Sequence, residues 1–155
     1  MDDRLADELM ELAFRLAGRI RTGIDRTATG LDLPPAQAQA LMHLRSPAPM
    51  RELADIMACD ASNVTGIVDG LERRGLVQRR PDPRDRRVKN LVLTEEGEAK
   101  RDALRAGISE VAAEVFHLPA ADRRALRDLF RKMLDDPADG PVGAPTGASA
   151  LSRPE

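Results

Sequence analysis

Residues 51–94 read RELADIMACDASNVTGIVDGLERRGLVQRRPDPRDRRVKNLVLT, and this stretch decides the fold. Apolar residues recur at helical spacing in two short segments, and the second segment ends at Gly75, a residue type that commonly closes a helix. Two short apolar runs then flank a loop of proline, aspartate and arginine, which is typical of a hairpin. The pattern predicts a helix-turn-helix followed by a two-stranded wing.

The spacing inside this stretch predicts the bounds and buried faces of its elements. We expect a helix over 51–58, a second helix from Asp60 to Gly75, and strands over 76–80 and 88–93. Asp60 is a plausible N-cap, its carboxylate accepting from the N–H of Ser62 or Asn63. The residues expected to face inward are Leu53, Ile56, Met57, Val64, Ile67, Val68 and Leu71.

The charge of this region differs from that of the whole chain. Between Arg73 and Lys89 there are eight basic and two acidic residues, whereas the complete chain has a formal net charge of −2. A basic island on an acidic protein indicates phosphate binding at one place and repulsion elsewhere. Since a helix fits the major groove of B-form DNA and a basic loop fits the minor groove, the stretch predicts a DNA-binding unit.

The order of residues here resembles the MarR family of bacterial transcriptional regulators. Asp85, Arg87, Leu93 and Thr94 reproduce the D-x-R wing motif and the L-T that follows it in that family. The other matching pieces are Leu53-Ala54, Ser62-Asn63-Val64-Thr65, Leu71-Glu72-Arg73-Arg74-Gly75-Leu76-Val77, Asp82-Pro83-Arg84-Asp85-Arg86-Arg87 and Leu93-Thr94-Glu95-Glu96-Gly97. The resemblance implies a homodimer that binds an inverted-repeat operator, most often as a repressor.

Candidate DNA contacts lie on the second helix and the wing. By resemblance Ser62, Asn63 and Thr65 read the major groove, and Arg87 enters the minor groove with Asp85 orienting its guanidinium. Residue type adds Arg84 and Arg86 at the wing tip, Arg73 on the exposed helix face, and Arg79, Arg80 and Lys89 as phosphate contacts. Gly66 and Gly70 depart from the family, where many relatives carry a basic residue. The alternative reading of the candidate contacts, on the helix as well as on the wing, is a solvated surface without a DNA-binding role.

Helical spacing continues on both sides of the winged unit. Leu5, Leu9, Leu12, Leu16 and Ile20 form the stripe of a first helix over 3–27, and a second follows over 34–44. Thr94 caps a fifth helix that reaches His117, and Pro119 begins a sixth. We therefore divide the chain into a dimerisation helix (1–30), a winged helix-turn-helix DNA-binding domain (31–94), dimerisation helices (95–136) and a disordered tail (137–155).

A ligand-responsive regulator also needs an effector site. By resemblance a small-molecule effector would lie between the dimerisation helices and the winged domain, near Phe14, Met42 and His43. A packing or surface role for His43 stays open.

Other kinds of site have little support in the sequence. Cys59 is the single cysteine, and without a basic neighbour it reads as a small buried hydrophobe rather than a redox switch. The two histidines and that cysteine lack metal-ligand spacing, so we expect no metal, no cofactor and no catalytic residues. No apolar run approaches the roughly 18 residues of a membrane span, which predicts a cytoplasmic protein without a membrane partner.

Three other functions remain open at this point. A constitutive or architectural DNA-binding protein would lack the effector, and a winged helix used for protein contact would not need the basic wing. An enzyme would need a nucleophile or an acid–base pair, for which the sequence offers no candidates.

Overall fold

The computed structural model describes residues 3–44 and 46–135 and confirms a mainly helical protein with a small β-wing. Its elements are α1 (Asp3–Gly30), α2 (Pro35–His43), β1 (Ala48–Pro49), α3 (Met50–Met57), α4 (Ala61–Arg73), β2 (Val77–Pro81), β3 (Lys89–Leu93), α5 (Glu95–Val115) and α6 (Ala120–Leu134). Within the described residues, each helix is too short or too polar to cross a membrane.

Most predicted bounds are correct to within a few residues. The largest differences are at α1, which continues to Gly30 instead of ending near Thr27, and at α5, which ends at Val115 instead of His117. The chain divides into two compact units, Met1–Leu118 and Pro119–Glu155, and α6 belongs to the second. The predicted disordered tail lies outside the described residues, and the functional division at residues 30, 94 and 136 stays a prediction.

The sheet has three antiparallel strands in the order β1-β3-β2. The predicted hairpin is present, with Val77 opposite Leu93 and Pro81 opposite Lys89. The sequence did not predict β1, because the Ser46–Pro49 segment reads only as a helix break. This strand has two residues, too few for an alternating pattern, and it forms only because distant Leu91 pairs with Ala48.

One apolar core connects the helices of the first unit to the sheet. Ile56, expected inside α3, is 38% exposed, because Leu53 and Met57 already occupy the inward face of this short helix. The largest fully buried side chains are Leu41, Leu53, Leu71, Leu76, Leu91, Leu104, Val64, Val68 and Val77.

The ends of α4 and α5 show which capping predictions are right. Gly75 has φ +71°, and its N–H donates to the Glu72 carbonyl at 2.9 Å, which confirms the left-handed cap. Thr94 Oγ1 accepts the N–H of Gly97 at 3.0 Å, as predicted. Asp60 is the N-cap residue of α4 and has N-cap backbone geometry, as predicted, but its carboxylate does not accept the expected bond from Ser62 or Asn63. Its exposed carboxylate has water as an alternative partner.

Among the described residues, two helices expose large apolar side chains. The predicted stripe of α1 is exposed over its first half, at Leu5, Leu9 and Leu12. In α6 no described residue is buried, and Leu129, Met133 and Leu134 are exposed. Such surfaces are unusual on a protein that stays a monomer.

The junction of α4, β3 and α5 permits no side chain at residue 97. A Cβ there would lie 1.9 Å from the Leu76 carbonyl oxygen, whereas a Cβ at Gly66 in α4 would meet nothing within 4 Å. We expect Gly97→Ala to destabilise the fold by about 2 kcal/mol or more, because backbone must move. The matched variant Gly66→Ala should stabilise it by about 0.5–1 kcal/mol through helix propensity. Urea unfolding measures both, and equal midpoints would contradict the assigned contact.

Candidate nucleic-acid interface

The exposed face of α4 contains the side chains predicted to read DNA. Ser62, Asn63, Thr65 and Arg73 are all exposed. The Thr65 hydroxyl donates its hydrogen to the Ala61 carbonyl at 2.7 Å, so the hydroxyl oxygen stays free to accept a hydrogen bond. The structure therefore places these four predicted residues on one accessible surface.

The two glycines of α4 have different surroundings. Gly66 opens to empty space on the exposed side, whereas a Cβ at buried Gly70 would lie 2.3 Å from Nε2 of Gln37. The Gln37 side chain of α2 thus packs closely against Gly70, where a larger residue would require Gln37 to move. The same explanation does not hold for Gly66.

The Asp82 carboxylate makes several of the hydrogen bonds that hold the wing loop. Asp82 Oδ1 accepts the backbone N–H groups of Arg84 at 2.7 Å and Asp85 at 3.2 Å, and Oδ2 accepts the Asn90 amide at 2.7 Å. The backbone bond from Arg84, followed by the bond from Asn90, lowers the pKa of the Asp82 carboxyl. Sequence reasoning missed Asn90. The signal for Asn90 was its position in the second strand close to the turn, across the hairpin from Asp82.

Asp85 acts on the backbone of the wing, not on the arginine side chain. Its Oδ1 accepts the N–H of Arg87 at 3.0 Å, a local turn bond of the kind aspartate often makes. The role of Asp85 in orienting the Arg87 guanidinium on DNA stays a prediction. Arg84, Arg86 and Arg87 of the loop and Lys89 at the start of β3 are all exposed, so the wing tip displays four basic side chains.

The basic residues of β2 divide into two kinds. Arg80 is exposed and donates only to Gln78 of its own strand, at 3.1 Å, so it stays accessible to a phosphate. The Arg79 guanidinium instead bonds Asp69 and Glu72 of α4, and its side chain is 20% exposed. The predicted phosphate contact does not fit this environment, because the charge of Arg79 is already paired with two carboxylates and its side chain is largely buried.

A cavity of about 450 Å³ lies between α1, α2 and α5. Met42 and His43 line it, as predicted, together with Asp25, Leu104 and Ile108. The wall is mainly apolar, with few polar groups, as in many small-molecule sites.

Phe14 does not belong to this cavity and is 71% exposed on the first half of α1. The first α1 residue of the wall is Ile24, and ten residues of helix separate the two by about 15 Å. The Phe14 assignment is therefore wrong for this cavity.

Cys59 is half-buried and packs against the core, and its Sγ lies 3.3 Å from the Met57 carbonyl oxygen. The predicted structural role fits these contacts. Among the described residues, no group of three or more His, Cys, Asp or Glu side chains is arranged to hold a metal ion.

Comparisons with known proteins agree with this architecture. The model of the MarR family matches residues 33–89. The HTH-type transcriptional repressor NicR of Pseudomonas putida is 41% identical over 92 residues, which are 57% of this chain and 57% of that repressor. The chain thus spans little more than half the length of this curated relative.

Solved structures match over more of the chain. A probable transcriptional regulator from Pseudomonas aeruginosa is 31% identical, with a TM-score of 0.60 over 85% of this chain and 98% of its own. CouR from Rhodococcus jostii RHA1, solved with p-coumaroyl-CoA, is 28% identical, with a TM-score of 0.67 over 94% and 98%.

The lowered pKa of Asp82 predicts how the wing responds to acid. A carboxyl with a lowered pKa in the folded state stabilises the fold above its unfolded pKa, and this contribution is lost as pH falls through the folded pKa. Wild type should therefore be more stable than Asp82→Asn near neutral pH, and the difference should shrink in acid. Urea midpoints across pH measure this difference. Asn90→Ala should lose less stability on acidification than wild type does. A stability difference between wild type and Asp82→Asn that is independent of pH would contradict the role assigned to the Asp82 carboxylate.

Proposed function

The chain belongs to the MarR family of transcriptional regulators, and we propose that it is a ligand-responsive, sequence-specific DNA-binding repressor acting as a homodimer. Its curated relative NicR is named as a transcriptional repressor and not as an enzyme. One observation carries the proposal: exposed Arg84, Arg86, Arg87 and Lys89 are held on a braced hairpin next to the exposed polar face of α4. As a DNA-binding protein it would be cytoplasmic.

The proposed contacts follow from where each side chain lies. α4 would enter the major groove, with Ser62, Asn63 and Thr65 at base edges and Arg73 at the backbone. Arg87 would insert into the minor groove, where the negative potential of a narrow groove favours guanidinium groups. The wing neighbours would contact phosphates: Arg80, Arg84, Arg86 and Lys89. Asp85 would hold the backbone of the loop.

The dimer is proposed from the uncovered apolar faces. Residues 1–30 and 95–136 would form the two-fold interface, since α1 and α6 each expose large apolar side chains. A two-fold dimer presents its α4 helices to successive major grooves. The operator would therefore be an inverted repeat with half-sites about 34 Å apart.

The effector would occupy the cavity between α1, α2 and α5. CouR was solved with p-coumaroyl-CoA, which shows that a relative of similar fold binds an organic ligand. In this chain α2 lines the cavity through Met42 and His43 and packs Gln37 against Gly70 of α4. A ligand that moves α2 would shift α4 through this contact and change the population of the DNA-binding state.

DNA titration tests the assigned contacts. The probe is the duplex that wild-type protein selects from a randomised library, with its scrambled sequence as comparison. Arg87→Ala should weaken binding of the selected duplex by about 10- to 100-fold per half-site, because a groove contact is lost. Lys89→Ala should weaken both duplexes alike and reduce the slope of log K against log salt by about one unit.

Sedimentation gives the mass of the same complexes and hence the number of protein chains on each duplex. We expect two chains of 16.9 kDa per duplex. If Arg87→Ala binds the selected duplex as wild type does, the minor-groove assignment is wrong. If wild type selects no sequence at any salt concentration, the protein is an architectural DNA binder and not a regulator.

Blocking the cavity tests the effector proposal. Ala36 is exposed and lines the cavity, so Ala36→Phe should narrow it without disturbing the core. A panel of aromatic acids and thioesters, starting with p-coumarate and p-coumaroyl-CoA, is screened for release of the selected duplex. A compound that releases wild type should fail on Ala36→Phe, although both proteins bind the duplex alike. Equal release from both would place the effector elsewhere.

A further inference from the structure

The guanidinium of Arg79 joins the wing to α4. Its Nη2 donates to Asp69 Oδ1 at 2.5 Å, and its Nη1 bonds Glu72 Oε2. The backbone N–H of Arg79 also donates to Glu72 Oε1, at 3.3 Å. One strand residue thus holds two carboxylates that lie one helical turn apart on α4.

The burial of these groups shows which of them is accessible. The Arg79 side chain is 20% exposed, whereas those of Asp69 and Glu72 are 47% and 39% exposed. The hydrogen bond that the Arg79 guanidinium donates to Asp69 is the largest cause of the raised Arg79 pKa, so the guanidinium stays charged. Arg79 is therefore shielded, and the two carboxylates that it neutralises remain partly open to solvent.

Asp69 lies on the face of α4 proposed to meet DNA. It follows Ser62 by seven residues and Thr65 by four, and it precedes Arg73 by four, which places all four on one helical stripe. An unpaired carboxylate at the centre of this stripe would repel DNA phosphates. Arg79 removes that repulsion from within the protein.

The same contact sets the position of the wing. Arg79 lies opposite Leu91 in the middle of the β2–β3 ladder, and its side chain reaches α4. Arg80 is the next residue, and strand geometry directs its side chain to the opposite face. Adjacent arginines therefore have different environments: Arg79 is in an ion-pair network, and Arg80 is open to solvent.

We propose that Arg79 is a positioning residue for DNA binding, one that pins the wing to α4 and neutralises Asp69 and Glu72 without touching DNA. This proposal rests on the proposed DNA-binding function. It separates Arg79 from the other wing arginines, which would act by direct contact.

A double-mutant cycle distinguishes this role from a phosphate contact. Arg79→Met is measured in wild type and in the Asp69→Asn/Glu72→Gln background, against the duplex that wild type selects. In wild type the substitution should weaken binding by about 10-fold or more, since two carboxylates become unpaired. In the neutral background it should weaken binding by no more than about 2-fold.

Arg80→Met is the matched control. As a direct phosphate contact it should weaken binding by the same factor in both backgrounds, and it should reduce the salt slope by about one unit in each. Arg79→Lys should lose less affinity than Arg79→Met, because the ammonium can still pair with one of the two carboxylates but lacks the fork that reaches both.

Folding is checked separately from binding. Circular dichroism and urea midpoints are recorded for each variant, and titrations are run where every variant is folded. A merely structural arginine would lower the midpoint without making the affinity loss depend on Asp69 and Glu72. If Arg79→Met destabilises the fold too far, Arg79→Lys and the Asp69→Asn/Glu72→Gln protein still test the proposal. The Asp69→Asn/Glu72→Gln protein should bind scrambled duplex at least as well as wild type does. Its preference for the selected duplex over the scrambled one should be several-fold smaller.

Two outcomes overturn the proposal. Equal losses in the two backgrounds would make Arg79 a direct phosphate contact, and wild-type affinity of Arg79→Met would remove its role in binding. Failure of the proposed function looks different, because wild-type protein would then select no duplex.

Discussion

Three elements meet where the Gly75–Leu76 turn touches the start of α5. The Thr94 hydroxyl donates to the Gly75 carbonyl at 2.6 Å, and the Thr94 N–H donates to the Leu76 carbonyl at 3.1 Å. The same hydroxyl accepts the N–H of Gly97, whose Cα approaches the Leu76 carbonyl too closely for any side chain. This junction ties the end of α4, the end of β3 and the first turn of α5 together, so the wing and α4 keep one geometry.

The arrangement of charge follows from that geometry. β2 begins directly after the junction, and Arg79 reaches back to Asp69 and Glu72. At the far end of the hairpin the Asp82 carboxylate accepts hydrogen bonds from the loop backbone and from Asn90. The acidic side chains of Asp69, Glu72, Asp82 and Asp85 thus have internal partners, while the basic side chains at the wing tip face solvent. A net-acidic protein can present a basic surface to DNA in this way.

Much of this was accessible from the sequence because it depends on local chemistry. Helical spacing predicted α4 and α5, and residue type predicted the Gly75 and Thr94 caps, which need only neighbours a few positions away. The accessible faces of α4 and of the wing tip were also predicted, since an exposed polar face needs no knowledge of distant partners. The motifs that resemble the MarR family predicted the class of protein.

Tertiary structure alone decided features that join distant segments. β1 exists because Ala48 pairs with Leu91, the Gln37 side chain of α2 packs against Gly70 of α4, and Phe14 lies outside the cavity because α1 is long. The sequence placed Arg79 and Arg80 in one basic run, although one is in an ion-pair network and the other is open to solvent. Composition gives the number of charges in a segment but not the direction in which each side chain extends. Only the pleat of β2 against α4 determines which arginine meets a carboxylate and which remains free for DNA.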